Sequence, residues 1–116
     1  MIIKVKITSI SDEKLENARM DDYLSIGEIY EVFGISVIKG KILFIILIGE
    51  HLIKVISELF EVVDSKIPPL LHLKVWKNGD VTLWPKLFYT DFFFDKYSER
   101  EFVERKEFDE IKKMMY

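Results

Sequence analysis

Residues 76–84 read WKNGDVTLW, an Asn-Gly turn signal with a tryptophan at each end. Asn-Gly between apolar runs marks a hairpin, but it fits two loop lengths. A two-residue loop at Asn78-Gly79 sets Trp76 opposite Val81 and leaves both faces of the hairpin mixed. A three-residue loop, Lys77-Asn78-Gly79, with Gly79 left-handed in a G1 bulge, sets Trp76 opposite Asp80 and Val75 opposite Val81. Leu71, Leu73, Val75, Val81 and Leu83 then share one face, and His72, Lys74, Trp76, Asp80, Thr82 and Trp84 share the other. One buried face specifies register strongly, so the bulged hairpin is expected. It predicts Val81 and Leu83 in the core and puts the tryptophans opposite the main apolar row, where a helix or a partner must cover them. Trp84, next to Pro85 and the Phe92-Phe93-Phe94 cluster, is the expected core residue of the two, and Trp76, beside the turn, the exposed one.

Outward from the hairpin, Met1, Ile3, Val5 and Ile7 alternate with Lys4, Lys6 and Thr8, a strand with one buried face. Ser11 to Asp22 is polar and reads as a loop with a single helical turn. Two strands joined at Lys39-Gly40-Lys41 follow Gly27, and a third returns after the Gly49-Glu50 turn, where glycine suits the first central position of a II′ turn. ILFIILI (Ile42 to Ile48) is apolar on both faces, as a strand covered on both sides should be. Leu59 to Asp64 extends the strand pattern, and Pro68-Pro69 breaks the chain before the hairpin. The tail lacks Gly and Pro, and Val103, Phe108, Ile111, Met114 and Met115 form a stripe at helical spacing, with Ser98 as N-cap. The expected fold is α+β, a single domain over 1–116. Residues 1–97 form an antiparallel SH3-like, partly closed β-barrel or bent sheet of about six strands, and 98–116 a C-terminal α-helix.

The chain has 116 residues, enough for a core without covalent staples, and no cysteine, which excludes disulfides, thiol catalysis and cysteine-based zinc sites. Twenty acidic against 17 basic residues leave a net charge of −3, which weighs against nucleic acid as a partner. The longest apolar run falls far short of the ~20 residues of a spanning helix, and the N-terminus lacks the pattern of a signal peptide. No membrane partner and a cytoplasmic location are expected.

Residues that carry chemistry are sparse. The glycines sit at predicted turns or strand irregularities rather than in a phosphate-binding loop, and His51, flanking a turn, and His72, on the polar hairpin face, would share a metal only by coincidence. Asp21-Asp22, Glu28/Glu31 and Glu58/Glu61 read as solvated surface rather than as acid/base dyads, and no serine occupies a nucleophile elbow. No catalytic, cofactor-binding or metal-binding residues are assigned, no small-molecule substrate is expected, and the chain is read as a binding protein rather than an enzyme. His72, Lys74, Trp76, Lys77, Trp84 and Lys86 compose the mixed basic and aromatic face on which a single-stranded nucleic acid could stack. The competing and favoured reading is that the tryptophans form a second small core under the C-terminal helix or the Phe92-Phe93-Phe94 cluster, with lysines on the rim.

Leu24, Gly27, Tyr30, Val32, Gly34 and Ile35 follow an L-x-x-G-x-x-Y-x-V-x-G-I pattern, and Leu59 to Asp64 reads LFEVVD. In these two motifs the chain resembles small bacterial immunity proteins of contact-dependent growth inhibition and other polymorphic toxin systems. It departs from them at Gly49-Glu50-His51, where an acidic Trp-Pro-containing turn is expected, so the resemblance implies a different partner surface. The function implied is stoichiometric, one-to-one inhibition of the C-terminal effector domain of a cognate toxin, most often a nuclease with a basic substrate channel. Asp21, Asp22, Glu28 and Glu50 are then candidates for electrostatic steering, and Trp76 and Trp84 for anchors. The alternative is a small β-barrel module binding nucleic acid or other proteins.

Overall fold

The computed structural model describes residues 1–6 and 24–116. The expectations for Ser11 to Asp22, including the steering candidates Asp21 and Asp22, lie outside the described residues. The fold is α+β, with strands β1 (Ile2–Val5), β2 (Ile29–Glu31), β3 (Gly34–Ile38), β4 (Lys41–Ile48), β5 (His51–Ile56), β6 (Phe60–Asp64), β7 (Leu71–Val75) and β8 (Val81–Pro85), and helices α1 (Phe93–Ser98) and α2 (Phe102–Met115). Short 3₁₀ turns at Ser57–Leu59 and Lys86–Tyr89 lead into β6 and out of β8. The strands form two open antiparallel sheets, in the orders β2-β1-β6 and β5-β4-β3-β8-β7. The expected barrel is therefore corrected: the β-structure is layered rather than closed.

The reason lies in β4. Phe44 and Ile46 enter one core with Ile3, Val5, Val32, Val55 and Leu59, between the two sheets. Ile45, one residue out of phase, enters a second core with Trp84, Phe88, Phe93, Tyr97 and Phe108, under the helices. A strand apolar on both faces must be covered on both, so the five-stranded sheet becomes the middle layer of three. The link from β2 to β3 serves both layers, with Val32 in the first core and Phe33 in the second. Lys39 and Gly40, with φ of 51° and 76°, form the two-residue turn between β3 and β4, both left-handed as a I′ turn requires.

The 76–84 hairpin has the expected register. Val75 pairs with Val81 and Leu73 with Leu83, the Trp76 N–H donates to the Asp80 carbonyl (2.8 Å), and Gly79 has φ +92°. Its orientation is the reverse of the expected one. Thr82 and Trp84 are buried, whereas Leu73 and Val75 are 68% and 67% exposed and Val81 and Leu83 only half-buried. The helical layer lies on the tryptophan side, and the three-stranded sheet covers the opposite side only around β4 and β5.

The C-terminal segment also differs from expectation. Ser98 ends α1 rather than capping the long helix, and α2 starts after Glu101. Phe108 and Met115 are buried and Ile111 packs against the same core, but Val103 and Met114 are exposed, because the contact runs along a narrower stripe than the apolar residues occupy.

Thermal or denaturant melts of single variants test this orientation. Trp84→Ala should cost about 3–5 kcal/mol, as aromatic truncations in cores do. Leu73→Ala, at an exposed position, should fall within about 0.5 kcal/mol of the parent. Gly79→Ala should cost about 1 kcal/mol through backbone conformation alone, since a Cβ there meets nothing within 4 Å.

Candidate protein-binding surface

Trp84 is not available as an anchor. It is 8% exposed, and its indole N–H donates to the buried Ser36 hydroxyl at 3.0 Å. Tyr89 and Phe94 pack on it, with ring centroids at 4.9 and 5.5 Å, and Gly34 leaves room for it, since a Cβ there would lie 3.0 Å from the indole. Lys54 reaches the same rings, its ammonium 5.2 Å from the centre of Trp84 and 5.0 Å from that of Phe94. Packing there withdraws the ammonium from water and pushes its pKa down, although much of the residue stays exposed.

Trp76 stands at the rim of this cluster, 36% exposed. Its N–H donates to the Thr82 hydroxyl (3.0 Å), which lies 2.8 Å from the Tyr89 hydroxyl, and the latter donates to the His72 carbonyl (2.7 Å). Lys74 covers the ring at 3.7 Å from its centre. The mixed basic and aromatic face is thus largely occupied within the fold, and what remains open is one edge of Trp76.

Glu50, at the β4–β5 turn, is tied to the helical layer. Its carboxylate lies 3.3 Å from Arg100, and its carbonyl accepts from Arg105 at 2.8 Å. Arg105 in turn stacks on Tyr97, 3.9 Å from the ring centre. The Glu50 side chain is still mostly exposed, so its carboxylate contributes to the outer field while fastening the turn.

Glu28 belongs to a different surface, which the residue pattern did not single out. It accepts a hydrogen bond from the Tyr30 hydroxyl. Nearby, the outer face of the three-stranded sheet sets Lys4 between Ile29 and Glu61, and Ile2 between Glu31 and Asp64. Glu28, Glu31, Glu61 and Asp64 are all exposed, as are Ile29 and Val63. Carboxylates therefore ring an apolar strip with Lys4 at its centre. The Met1 amino group adjoins the same face; Asp64 and Glu31 favour its charge, but burial outweighs them and lowers its pKa. A groove of about 740 Å³, with Ile2, Ile29, Phe33 and Leu47 in its walls and Lys112 and Lys113 at one side, continues the strip towards the end of α2. There the Tyr116 hydroxyl donates to the Val32 carbonyl and accepts from the Met1 amino group (3.2 Å), fastening the helix end to the small sheet. Glu28/Glu31 and Glu61 were visible in the sequence as acidic spacings, but their convergence depends on β2 and β6 flanking β1, a pairing between distant segments.

This surface has a spectroscopic handle. Burial and then the Glu28 carboxylate raise the Tyr30 pKa from 10.0 to about 12. The unfolded chain releases this proton near 10 while the folded chain keeps it until about 12, so the contribution is intact below pH 10 and is lost as pH rises through that window. Urea melts at pH 9 and 11 should therefore show a smaller alkaline loss of stability in Tyr30→Phe than in the parent; equal losses would place the effect elsewhere.

Among the described residues no three His, Asp or Glu side chains group as metal ligands, and no helix is long and apolar enough to cross a membrane. No protein-family model matches the chain, and neither curated proteins nor solved structures match it.

Proposed function

We propose that the chain is an immunity protein that binds the C-terminal effector domain of a cognate toxin one-to-one and blocks it by occupancy, without chemistry of its own. The observation that supports this reading most is the outer face of the three-stranded sheet, where Glu31, Glu61 and Asp64 lie around Ile29 and beside the groove. Exposed apolar side chains interleaved with charges of both signs suit a protein partner recognised partly by electrostatics. The carboxylates suit basic groups in the substrate channel of a nuclease, raising the association rate and fixing orientation while Ile29 and the apolar walls of the groove supply most of the affinity. The sequence motifs that resemble immunity proteins run through the same sheet, with Tyr30 in β2 and Phe60 to Asp64 in β6.

Binding to nucleic acid is the lesser reading, because its platform rested on both tryptophans and Trp84 lies in the core. An inhibitor and a nucleic-acid binder differ in their salt response, since displacement of counterions from several phosphates makes oligonucleotide binding fall steeply with salt.

The test uses the effector domain of a toxin whose gene adjoins that of this protein, and the absence of any such gene counts against the proposal. Calorimetry should give a one-to-one complex of nanomolar or tighter affinity that persists at moderate salt, and the complex should lack toxin activity. Glu31→Lys with Glu61→Lys should slow association and weaken binding at least about tenfold, as charge reversal at a steering surface does. A neighbouring toxin domain that neither binds nor is inhibited would refute the proposal, and tight, salt-sensitive binding of labelled oligonucleotides would replace it with the nucleic-acid reading.

A further inference from the structure

We propose that β7 is a self-association edge. Two copies pair antiparallel about a two-fold axis through Leu73, joining their five-stranded sheets into one. The inference is independent of the inhibitor reading and concerns the other sheet.

β7 is the terminal strand of its sheet, and among the described residues nothing pairs with its outer side. The hairpin determines which backbone groups point outward. Trp76 and Asp80 form a hydrogen-bonded pair, so by antiparallel alternation the N–H and C=O groups of Lys74 and His72 also face β8. Those of Leu71, Leu73 and Val75 face away from it. Of these, Leu73 and Val75 are exposed, with Val81 and Leu83 half-buried behind them, while Leu71 is half-buried against the helix-side core. An edge is ordinarily protected by a bulge, a proline or a projecting lysine. Here Lys74, the one lysine on the strand, is drawn along it onto the Trp76 ring, and Pro68 and Pro69 precede the strand rather than interrupt it.

The strand is complementary to itself in one register. With the dyad at Leu73, Leu71 lies opposite Val75 of the second copy, Leu73 opposite its own equivalent, and His72 opposite Lys74. All the outward groups are then used, in about six backbone hydrogen bonds, and the apolar rows of the two copies become continuous. A dyad at Lys74 brings two ammonium groups together in a narrow pair, with Cα atoms about 4.5 Å apart. A dyad at His72 sets Val75 opposite Pro69, which has no N–H, and reaches into Leu70, whose φ of +74° leaves the strand conformation. The occupant that fits without such a conflict is a second copy in the Leu73 register. One strand pair and its apolar ribbon make a small interface, so the dissociation constant should lie in the micromolar range, about 1–100 µM.

Sedimentation velocity of the full chain from about 1 to 300 µM, a range chosen to bracket that constant, should show a reversible monomer–dimer equilibrium. Leu73→Lys places like charges on the dyad and should raise the dissociation constant at least about tenfold. Because the chain has no cysteine, single substitutions report the register even where a lysine variant folds poorly. Leu73→Cys should form a disulfide-linked dimer under mild oxidation much faster than Lys74→Cys or the remote control Lys106→Cys. A parent protein that stays monomeric throughout, an unchanged constant in Leu73→Lys, or cross-linking as fast from Lys74→Cys would each overturn the proposal.

Discussion

The burial of β4 on both faces is the constraint on which the rest of the architecture depends. Phe44 and Ile46 on one side and Ile45 on the other are each almost wholly removed from water. Apolar transfer is favourable in proportion to area and indifferent to direction. A strand with such side chains on both faces is therefore stable only between two covering layers. Neither layer is long in sequence. The first is assembled from β1, β2 and β6, and the second from the segment after β8.

Because each layer is short, neither covers the five-stranded sheet completely. The three-stranded sheet lies over β4 and β5 and leaves the same face bare around β7 and β8. The helical layer lies over the other face and takes in Trp84, Ser36 and Thr82. Among the described residues two open surfaces result: a carboxylate-rich one on the outside of the small sheet, and an apolar one along the uncovered end of the large sheet. The first presents charge around a narrow apolar strip, which suits a partner recognised partly by electrostatics. The second combines unpaired backbone groups with leucine and valine, which suits another strand.

Local features of the chain were readable from residue order. Asn78-Gly79 and the flanking alternation defined the hairpin register, because a G1 bulge demands a left-handed residue where glycine stands. The two-sided apolarity of Ile42 to Ile48 correctly implied cover on both faces. The boundary of α2 was not readable in the same way, since the run from Phe92 to Met115 contains neither glycine nor proline to mark a break. The break near Arg100, which has φ +62°, follows from folding α1 and α2 onto one core. Of the candidate binding residues, Glu28 is bonded to Tyr30 at the edge of the small sheet, Glu50 is shared between solvent and Arg100, and the two tryptophans divide as expected, Trp84 inside and Trp76 at the rim.

Residue order by itself determined the α+β class, the turns and the register of the 76–84 hairpin, since each follows from backbone preferences and side-chain periodicity over a few residues. Which face of that hairpin is buried was decided only in the tertiary structure. Alternation counted five aliphatic residues on one side and pointed that side inward. The folded chain buries the other side, because Leu87, Phe88, Phe93, Tyr97 and Phe108 converge there from later in the chain and pack around Trp84. The area those rings remove from water exceeds what a row of leucine and valine at a sheet edge could gain without a covering layer of its own. A periodic pattern shows that a strand has two unlike faces; the side that becomes the interior depends on which distant segments are available to cover it.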